Sequence, residues 1–226
     1  MKCIILASGL GTRMGELTKK TPKAMLIINN KPKLAWSIEM LPREIEEVIL
    51  VVGYLKEQII DFFGLEFNNR KIHYVEQREL NGTAGAVALA QDFIDGKVLA
   101  IMGDDLYDRE DLRKLLEYEQ SLLAYKTNNA KRFGLVDMDS DNNLIAVVER
   151  PHDKNKGLVN AGAYVLSKEY FNTSMVKISE KEYGPPQTIV SMYPKNKTHI
   201  VTTNKWQSIG SPKDLEIAQK RIDEFI

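Results

Sequence analysis

Apolar residues along this chain gather in short continuous runs, separated by stretches in which they recur every three or four positions. The runs are Cys3–Leu6, Val48–Val52 (VILVV) and Val98–Met102 (VLAIM). Unbroken apolar segments of this length, without alternation, suit strands covered on both faces in a parallel sheet. Between them, Leu34–Leu41 and Leu55–Phe63 place apolar residues near the i, i+3, i+4 spacing of a helix face. Thr83–Ile94 does the same, with Val87, Ala90 and Phe93 as inward positions. Strand, helix, strand at this spacing predicts βαβ units with right-handed crossovers.

Beyond about Asp104 the pattern loosens. Lys131–Arg150 reads as a hairpin: FGLVDM, a turn at Asp139–Asn143, then LIAVVE. Val159–Leu166 (VNAGAYVL) predicts a further strand, and Lys181–Pro186, with its Pro-Pro pair, a loop. Ser211–Ile226 predicts a closing helix with Ser211 as N-cap, Pro212 at N1 and Asp214 at N3. No repeat or low-complexity linker divides the chain, so residues 1–226 are read as one domain. The expected class is α/β: a Rossmann-like, mostly parallel sheet with flanking helices and a β-rich second half.

A chain of 226 residues can bury a core without a metal or disulfide staple. Its 43% hydrophobic and 27% charged residues argue against disorder. Thirty-one basic side chains balance 31 acidic ones, which excludes a non-specific grip on nucleic acid or an anionic membrane. A small anionic ligand held by a few cations stays open. The single Cys3 has no internal partner, and no Cys/His cluster has zinc spacing. The N-terminal apolar run is too short for a signal peptide and nothing approaches a membrane span, so a cytoplasmic, soluble protein is expected. No heptad or broad apolar stripe declares an interface; a homo-oligomer remains open.

The first run leads into Ala7-Ser8-Gly9-Leu10-Gly11-Thr12-Arg13-Met14. Ligands bind at the carboxyl end of the first strand in α/β sheets, and glycines there let backbone N–H groups turn toward a phosphate. No Gly-Lys-Ser/Thr follows, so this is not a Walker loop; Met14 replaces the third glycine of a dinucleotide fingerprint. Taken alone, the loop is equally compatible with a tight turn. Arg13 adds a guanidinium suited to bidentate bonds with phosphate.

LASGLGTRMGELTKKTPKAML resembles the signature of the sugar-1-phosphate nucleotidyltransferases, A-G-G-x-G-T-R, a spacer, then T-P-K and a hydrophobic residue. Ser8 stands for the first glycine of the pair, and Thr21-Pro22-Lys23 supplies the second part. Gln77 with Gly82-Thr83-Ala84 resembles the Q-x-x-x-x-G-T-A segment that reads the nucleobase, and Gly103-Asp104 the G-D metal motif. Glu149-Arg150-Pro151 resembles E-K-P with Arg for Lys, Asn160-Ala161-Gly162 the N-x-G sugar-contact strand, and Trp206 to Pro212 W-x-D-x-G-T-P with Ser208 for Asp. Six motifs in the family's order run from residue 6 to residue 212.

The resemblance implies a GT-A-like fold whose second half binds substrate, and Mg²⁺-dependent attack of a sugar-1-phosphate oxygen on the α-phosphorus of a nucleoside triphosphate, releasing pyrophosphate. A phosphate monoester loses its second proton near pH ~6, so the nucleophile is already an anion and no general base is demanded. Charge neutralisation and alignment are demanded. Carried onto this chain, the resemblance assigns Leu6, Ala7, Ser8, Gly9, Gly11, Thr12, Arg13, Gln77, Gly82 and Thr83 to the nucleotide. Lys23, Gly134, Glu149, Arg150 and Asn160 go to the sugar phosphate; Arg13 and Lys23 act catalytically; Asp104, with Ser208 in the place of a second ligand, goes to the metal. Ser208 weakens that metal site, leaving the ion to water or to Asp105.

Bland readings stand beside these. Asp104-Asp105 also suits a turn cap, Gln77 an ordinary surface position, and Glu149 and Asn160 solvated strand ends. Trp206 reads as core rather than base stacking, and His73, His152 and His199 have no role. Two other functions compete: a cytidylyltransferase acting on a phosphorylated alcohol such as phosphocholine, and a catalytically weakened nucleotide- or sugar-phosphate-binding subunit. The chain ends soon after the expected catalytic domain, so the appended domains of some relatives are expected to be absent.

Overall fold

The computed structural model describes residues 1–226. In chain order its first half contains β1 (Lys2–Leu6), β2 (Ile27–Ile28), β3 (Lys31–Pro32), α1 (Lys33–Glu39), β4 (Glu47–Val52), α2 (Lys56–Phe63), β5 (Glu66–Phe67), β6 (Arg70–Glu76), α3 (Thr83–Ala88) and β7 (Val98–Met102). The second half contains β8 (Leu106–Tyr107), α4 (Arg109–Leu115), β9 (Ser121–Thr127), β10 (Leu135–Met138), β11 (Leu144–Val148), β12 (Gly157–Leu166), α5 (Lys168–Phe171), α6 (Pro185–Ser191), β13 (His199–Thr203), β14 (Trp206–Gln207) and α7 (Pro212–Arg221).

One large sheet runs β11-β10-β12-β7-β1-β4-β6-β5, with β9 pairing β12 and β13. β7, β1 and β4 are parallel to one another, as the apolar runs predict, and β6 adds a further parallel strand beside β4. β12 joins antiparallel to β7, to β9 and to β10, so the β-rich second half extends the parallel strands into a mixed sheet. Alternate residues of β1 feed opposite cores. Cys3 and Ile5 pack with Leu34, Ile59 and Leu112, so α1, α2 and α4 cover one face. Ile4 and Leu6 pack with Val87, Tyr170 and Ile189, so α3, α5 and α6 cover the other. A third cluster of Ile28, Trp36, Ile209, Ala218 and Phe225 seats α7 beside α1.

Three expectations change. The Pro-Pro pair opens α6 instead of lying in a loop, because Pro185 and Pro186 occupy N1 and N2, where a missing N–H costs nothing. α3 stops at Ala88 and a separate turn spans Gln91–Phe93, leaving Phe93 half-buried while Val87 and Ala90 are buried. The last helix ends at Arg221, followed by a turn at Ile222–Glu224. Its start is as expected: Ser211 Oγ accepts from the Asp214 N–H at 3.3 Å. The hairpin also forms, with Asp139 Oδ1 accepting from the N–H groups of Asp141 and Asn143. The sequence reading left β6, β9 and β13 without a prediction. No helix is long and apolar enough to cross a membrane.

Candidate active site

The glycine loop leaves β1 at its carboxyl end and wraps over Lys23. Gly11 has φ 67°, and a Cβ there would lie 2.9 Å from Lys23 Cβ and Thr18 Cγ2, so only glycine lets loop and lysine stem meet. Thr18 Oγ1 donates to the Gly11 carbonyl at 3.0 Å and fixes the turn. A cavity of about 240 Å³ results, lined by Leu6, Ala7, Gly9, Gly11, Thr12, Arg13, Lys23 and Asp104. Inside it Lys23 Nζ is ion-paired with Asp104. Burial, and secondarily the nearby Arg13 charge, push Lys23 below the ordinary lysine range; Asp105 and Asp214 oppose this. A second anion entering here would meet two cations already concentrated by the fold.

Across Leu6 and Gly9 lies a second cavity of about 220 Å³ lined by Ser8, Gln77, Leu80, Gly82, Thr83, Ala86 and Glu182. Gln77 is 6% exposed, so it is not a surface glutamine. It follows β6, whose parallel pairing with β4 places it beside the first loop.

The third cavity, about 300 Å³, collects Arg13, Thr83, Gly134, Glu149, Arg150, Asn160, Ser208 and Gly210, with Arg132, Phe133, Tyr164 and Trp206. A bulge in β12 aims Asn160 into it. The register shifts between Asn160 and Tyr164, and Gly162 takes φ 75°. Asn160 Oδ1 then accepts from the Gly162 N–H at 2.9 Å, and Asn160 Nδ2 donates to Tyr164 Oη at 2.7 Å. Glu149 and Arg150 are exposed at the end of β11; Gln187 donates to Glu149 Oε1 at 2.8 Å. The three cavities share walls. Met102 lines all of them, Arg13 and Gly210 the first and third, Thr83 the second and third.

Asp104 faces the first cavity, but its neighbour does not. Asp105 is 6% exposed and accepts from Trp206 Nε1 at 3.1 Å and from the Ile209 N–H at 3.0 Å. It clamps the segment before α7 and borders the third cavity rather than the first. Trp206 is core, packed against Phe133 with ring centroids 5.0 Å apart. Ser208 lines the third cavity rather than the first, and no three His, Cys, Asp or Glu side chains gather as a protein-only metal cage.

The sequence reading missed Met102, Leu80, Arg132 and Glu182 as lining residues. Met102 ends a core strand and looks like packing in the sequence; Arg132 and Glu182 lie among other exposed charges without a distinguishing signal. It also missed Lys33. This side chain is fully buried, its Nζ has no hydrogen-bond partner, and burial with the Lys23 charge pushes its pKa down to about 7.

A family model described as nucleotidyl transferase matches residues 2–224. The chain belongs to the nucleotidyl transferase family. A D-glycero-alpha-D-manno-heptose 1-phosphate guanylyltransferase from Campylobacter jejuni is 35% identical over 218 residues, covering 95% of this chain and 96% of that one. The bifunctional protein GlmU of Methanocaldococcus jannaschii is also 35% identical, over 223 residues that make up 97% of this chain. Those residues are 54% of GlmU, so the chain spans about half the length of that relative. A putative glucose-1-phosphate thymidylyltransferase from Bacillus anthracis, solved with sucrose, superposes with a TM-score of 0.87 over 97% of this chain and 94% of that one, at 21% identity. At that identity the likeness is one of fold, and it agrees with the mixed, helix-flanked sheet of this nucleotidyl transferase family member.

Proposed function

We propose that the chain transfers a nucleotidyl group from a nucleoside triphosphate to a sugar-1-phosphate, giving a nucleotide sugar and pyrophosphate. The observation that carries this reading is the shared wall: Arg13 borders both the glycine-loop cavity and the cavity of Asn160, Glu149 and Arg150. Two phosphates placed on either side of it would be adjacent, with the base extending past Gly9 toward Gln77. The names of the relatives support the same chemistry.

In this scheme a sugar-phosphate oxygen forms a bond to the α-phosphorus as the bond to the β-phosphate breaks, and the electron pair leaves with pyrophosphate. Arg13 and Lys23 neutralise charge that builds on the transferring phosphoryl group and the leaving group. Lys23, held by Asp104 in the free chain, can exchange that partner for phosphate. Arg150 brings a fork-shaped guanidinium to the sugar phosphate, where the family motif has a point charge. Asn160, oriented by Tyr164 and Gly162, presents its amide to sugar hydroxyls.

The residues fit Mg²⁺ bound mainly through ligand. Asp104 offers one hard carboxylate, and Mg²⁺ commonly takes one or two carboxylates, phosphate oxygens and water. Asp104 would hold the ion, and the ion would supply Lewis-acid neutralisation of the triphosphate. Because Asp105 is committed to Trp206 and Ile209, Mg²⁺ should bind the free protein weakly and the triphosphate complex better.

Pyrophosphate release from a panel of triphosphates and sugar-1-phosphates, in excess Mg²⁺, tests the reading. Turnover with a hexose-1-phosphate or heptose-1-phosphate is expected; turnover with phosphocholine alone, or binding without turnover, would overturn it. Asp104→Asn should lower kcat by on the order of 10²–10³ with the circular-dichroism spectrum unchanged. Full activity in that variant would remove Asp104 from the mechanism.

A further inference from the structure

Gln187 is not on the wall of the third cavity, yet it reaches that cavity through Glu149. Its Nε2 donates to Glu149 Oε1 at 2.8 Å, and no other protein group donates to that carboxylate. Arg150, the adjacent residue, is turned elsewhere: its Nη1 donates to the Arg132 carbonyl at 3.3 Å. The Glu149 carboxylate also rests against Gly134, where an added Cβ would lie 3.3 Å from both of its oxygens. The Gly134 carbonyl in turn accepts from the Asn160 N–H at 3.0 Å. Glu149 is thus held between the first turn of α6 and a backbone segment bonded to β12.

The ordinary duty of a glutamine at this place in a helix is absent. Gln187 is at N3 of α6, where such a side chain reaches back to the N–H of the N-cap residue. That N–H, on Gly184, donates to the Val176 carbonyl at 3.1 Å, so the helix start does not use the glutamine. Gln187 Oε1 is buried and has no partner. The side chain runs over Gly184 so closely that an added Cβ would lie 2.0 Å from Oε1. Turning the amide over would set its oxygen against the Glu149 carboxylate, acceptor facing acceptor. A buried carbonyl left unbonded is unfavourable. What this orientation gains is the N–H aimed at Glu149.

Resting on the nucleotidyltransferase reading, we propose that Gln187 is a positioning residue for the sugar phosphate, fixing the Glu149 carboxylate so that its remaining lone pairs accept sugar hydroxyls. Hydroxyls are donors, and a carboxylate with one N–H bound keeps about three acceptor sites. An exposed glutamate without that bond is spread over several rotamers, and binding would have to immobilise it. The amide performs that ordering before the sugar arrives. Its effect is confined to the sugar side, because Glu149 borders the third cavity and neither of the other two.

Steady-state kinetics of the full chain, with Mg²⁺, saturating triphosphate and the sugar-1-phosphate it turns over best, test the assignment. Gln187→Met keeps the length and removes the N–H. Its KM for the sugar phosphate should rise on the order of tenfold, with kcat and the triphosphate Kd within about twofold of the unsubstituted chain. Gln187→Glu keeps the shape and sets a second carboxylate against Glu149, so at about pH 8 its KM should rise further. Two carboxyl groups this close share a proton as the pH falls toward about 5, which restores a donor at position 187. The KM ratio to the unsubstituted chain at the same pH should then return toward one. A purely structural role would lower the unfolding midpoint and give no such recovery. An unchanged KM in Gln187→Met, an equal loss of triphosphate binding, or a Gln187→Glu defect that is the same at both pH values overturns the proposal. The pH comparison decides the matter if Gln187→Met does not fold. Those outcomes leave the nucleotidyltransferase reading intact; a folded chain that turns over no sugar-1-phosphate would overturn that reading and this inference with it.

Discussion

Lys33 is the residue whose environment conflicts most with its chemistry. A buried ammonium without a hydrogen-bond partner is unfavourable, and its folded pKa of about 7 lies well below the ordinary lysine value of 10.5. Below about pH 7 the folded and unfolded chains both carry the proton, and the full cost of burying the charge is present. As pH rises from about 7 toward 10.5 the folded state sheds its proton while the unfolded state keeps it, so the cost fades and stability rises. Lys33→Met should therefore stabilise the protein, by a few kcal/mol at pH 6 and by much less at pH 10. Urea unfolding at the two pH values checks this; an equal effect at both would show that Lys33 is not held neutral by burial. The residues of the signature could be located from the sequence because their motifs resemble the family's in composition and order. Lys33 could not, since its burial depends on α1 packing into the core beside Lys23 and Asp105.

At the scale of single elements, β12 illustrates how much one irregularity contributes. Its ten residues alternate apolar positions on both sides of Asn160-Ala161-Gly162, which is why the strand was legible. The bulge was not, because a strand pattern and a bulged strand pattern differ only in pairing. Gly162 is required there twice over, by φ 75° and by Met102 Cγ, which would lie 2.8 Å from an added Cβ. Gly162→Ala should cost about 2 kcal/mol and raise KM for the sugar phosphate more than it lowers kcat, because it shifts Asn160 without touching Lys23 or Asp104. An unchanged unfolding midpoint would mean that the bulge relaxes freely. α6 makes the complementary point. The Pro-Pro pair is a loop signal only when nothing helical follows it; here Thr188, Ile189 and Met192 bury against the sheet and turn the same pair into a helix start.

Across the whole molecule, the three cavities open along the carboxyl ends of β1 and β7 and meet at Met102, so ligand binding should brace elements from both halves of the chain. A triphosphate with Mg²⁺ at about 100 times its Kd adds ~2.7 kcal/mol to the unfolding free energy. For a chain of this length the corresponding rise in Tm is roughly 5–10 °C, and a thermal melt followed by differential scanning fluorimetry measures it. No rise with any triphosphate would contradict the assignment of the glycine-loop cavity.

The sequence by itself determined the parallel core β1, β4 and β7, the hairpin, the start of α7 and the ordered motifs that mark the family, because apolar periodicity, capping residues and glycine spacing are local properties. The tertiary structure decided that β12 completes the sheet antiparallel, that Asp105 serves as a clamp while Asp104 faces the glycine-loop cavity, and that Ser8 locks Gln77. Each of these depends on which distant segments are brought within hydrogen-bonding reach, and side-chain contacts across tens of residues leave no periodic trace in the chain. The balanced charge belongs to both levels: the sequence fixes the total of 31 against 31, and the fold gathers Arg13, Lys23, Arg132 and Arg150 around adjoining cavities.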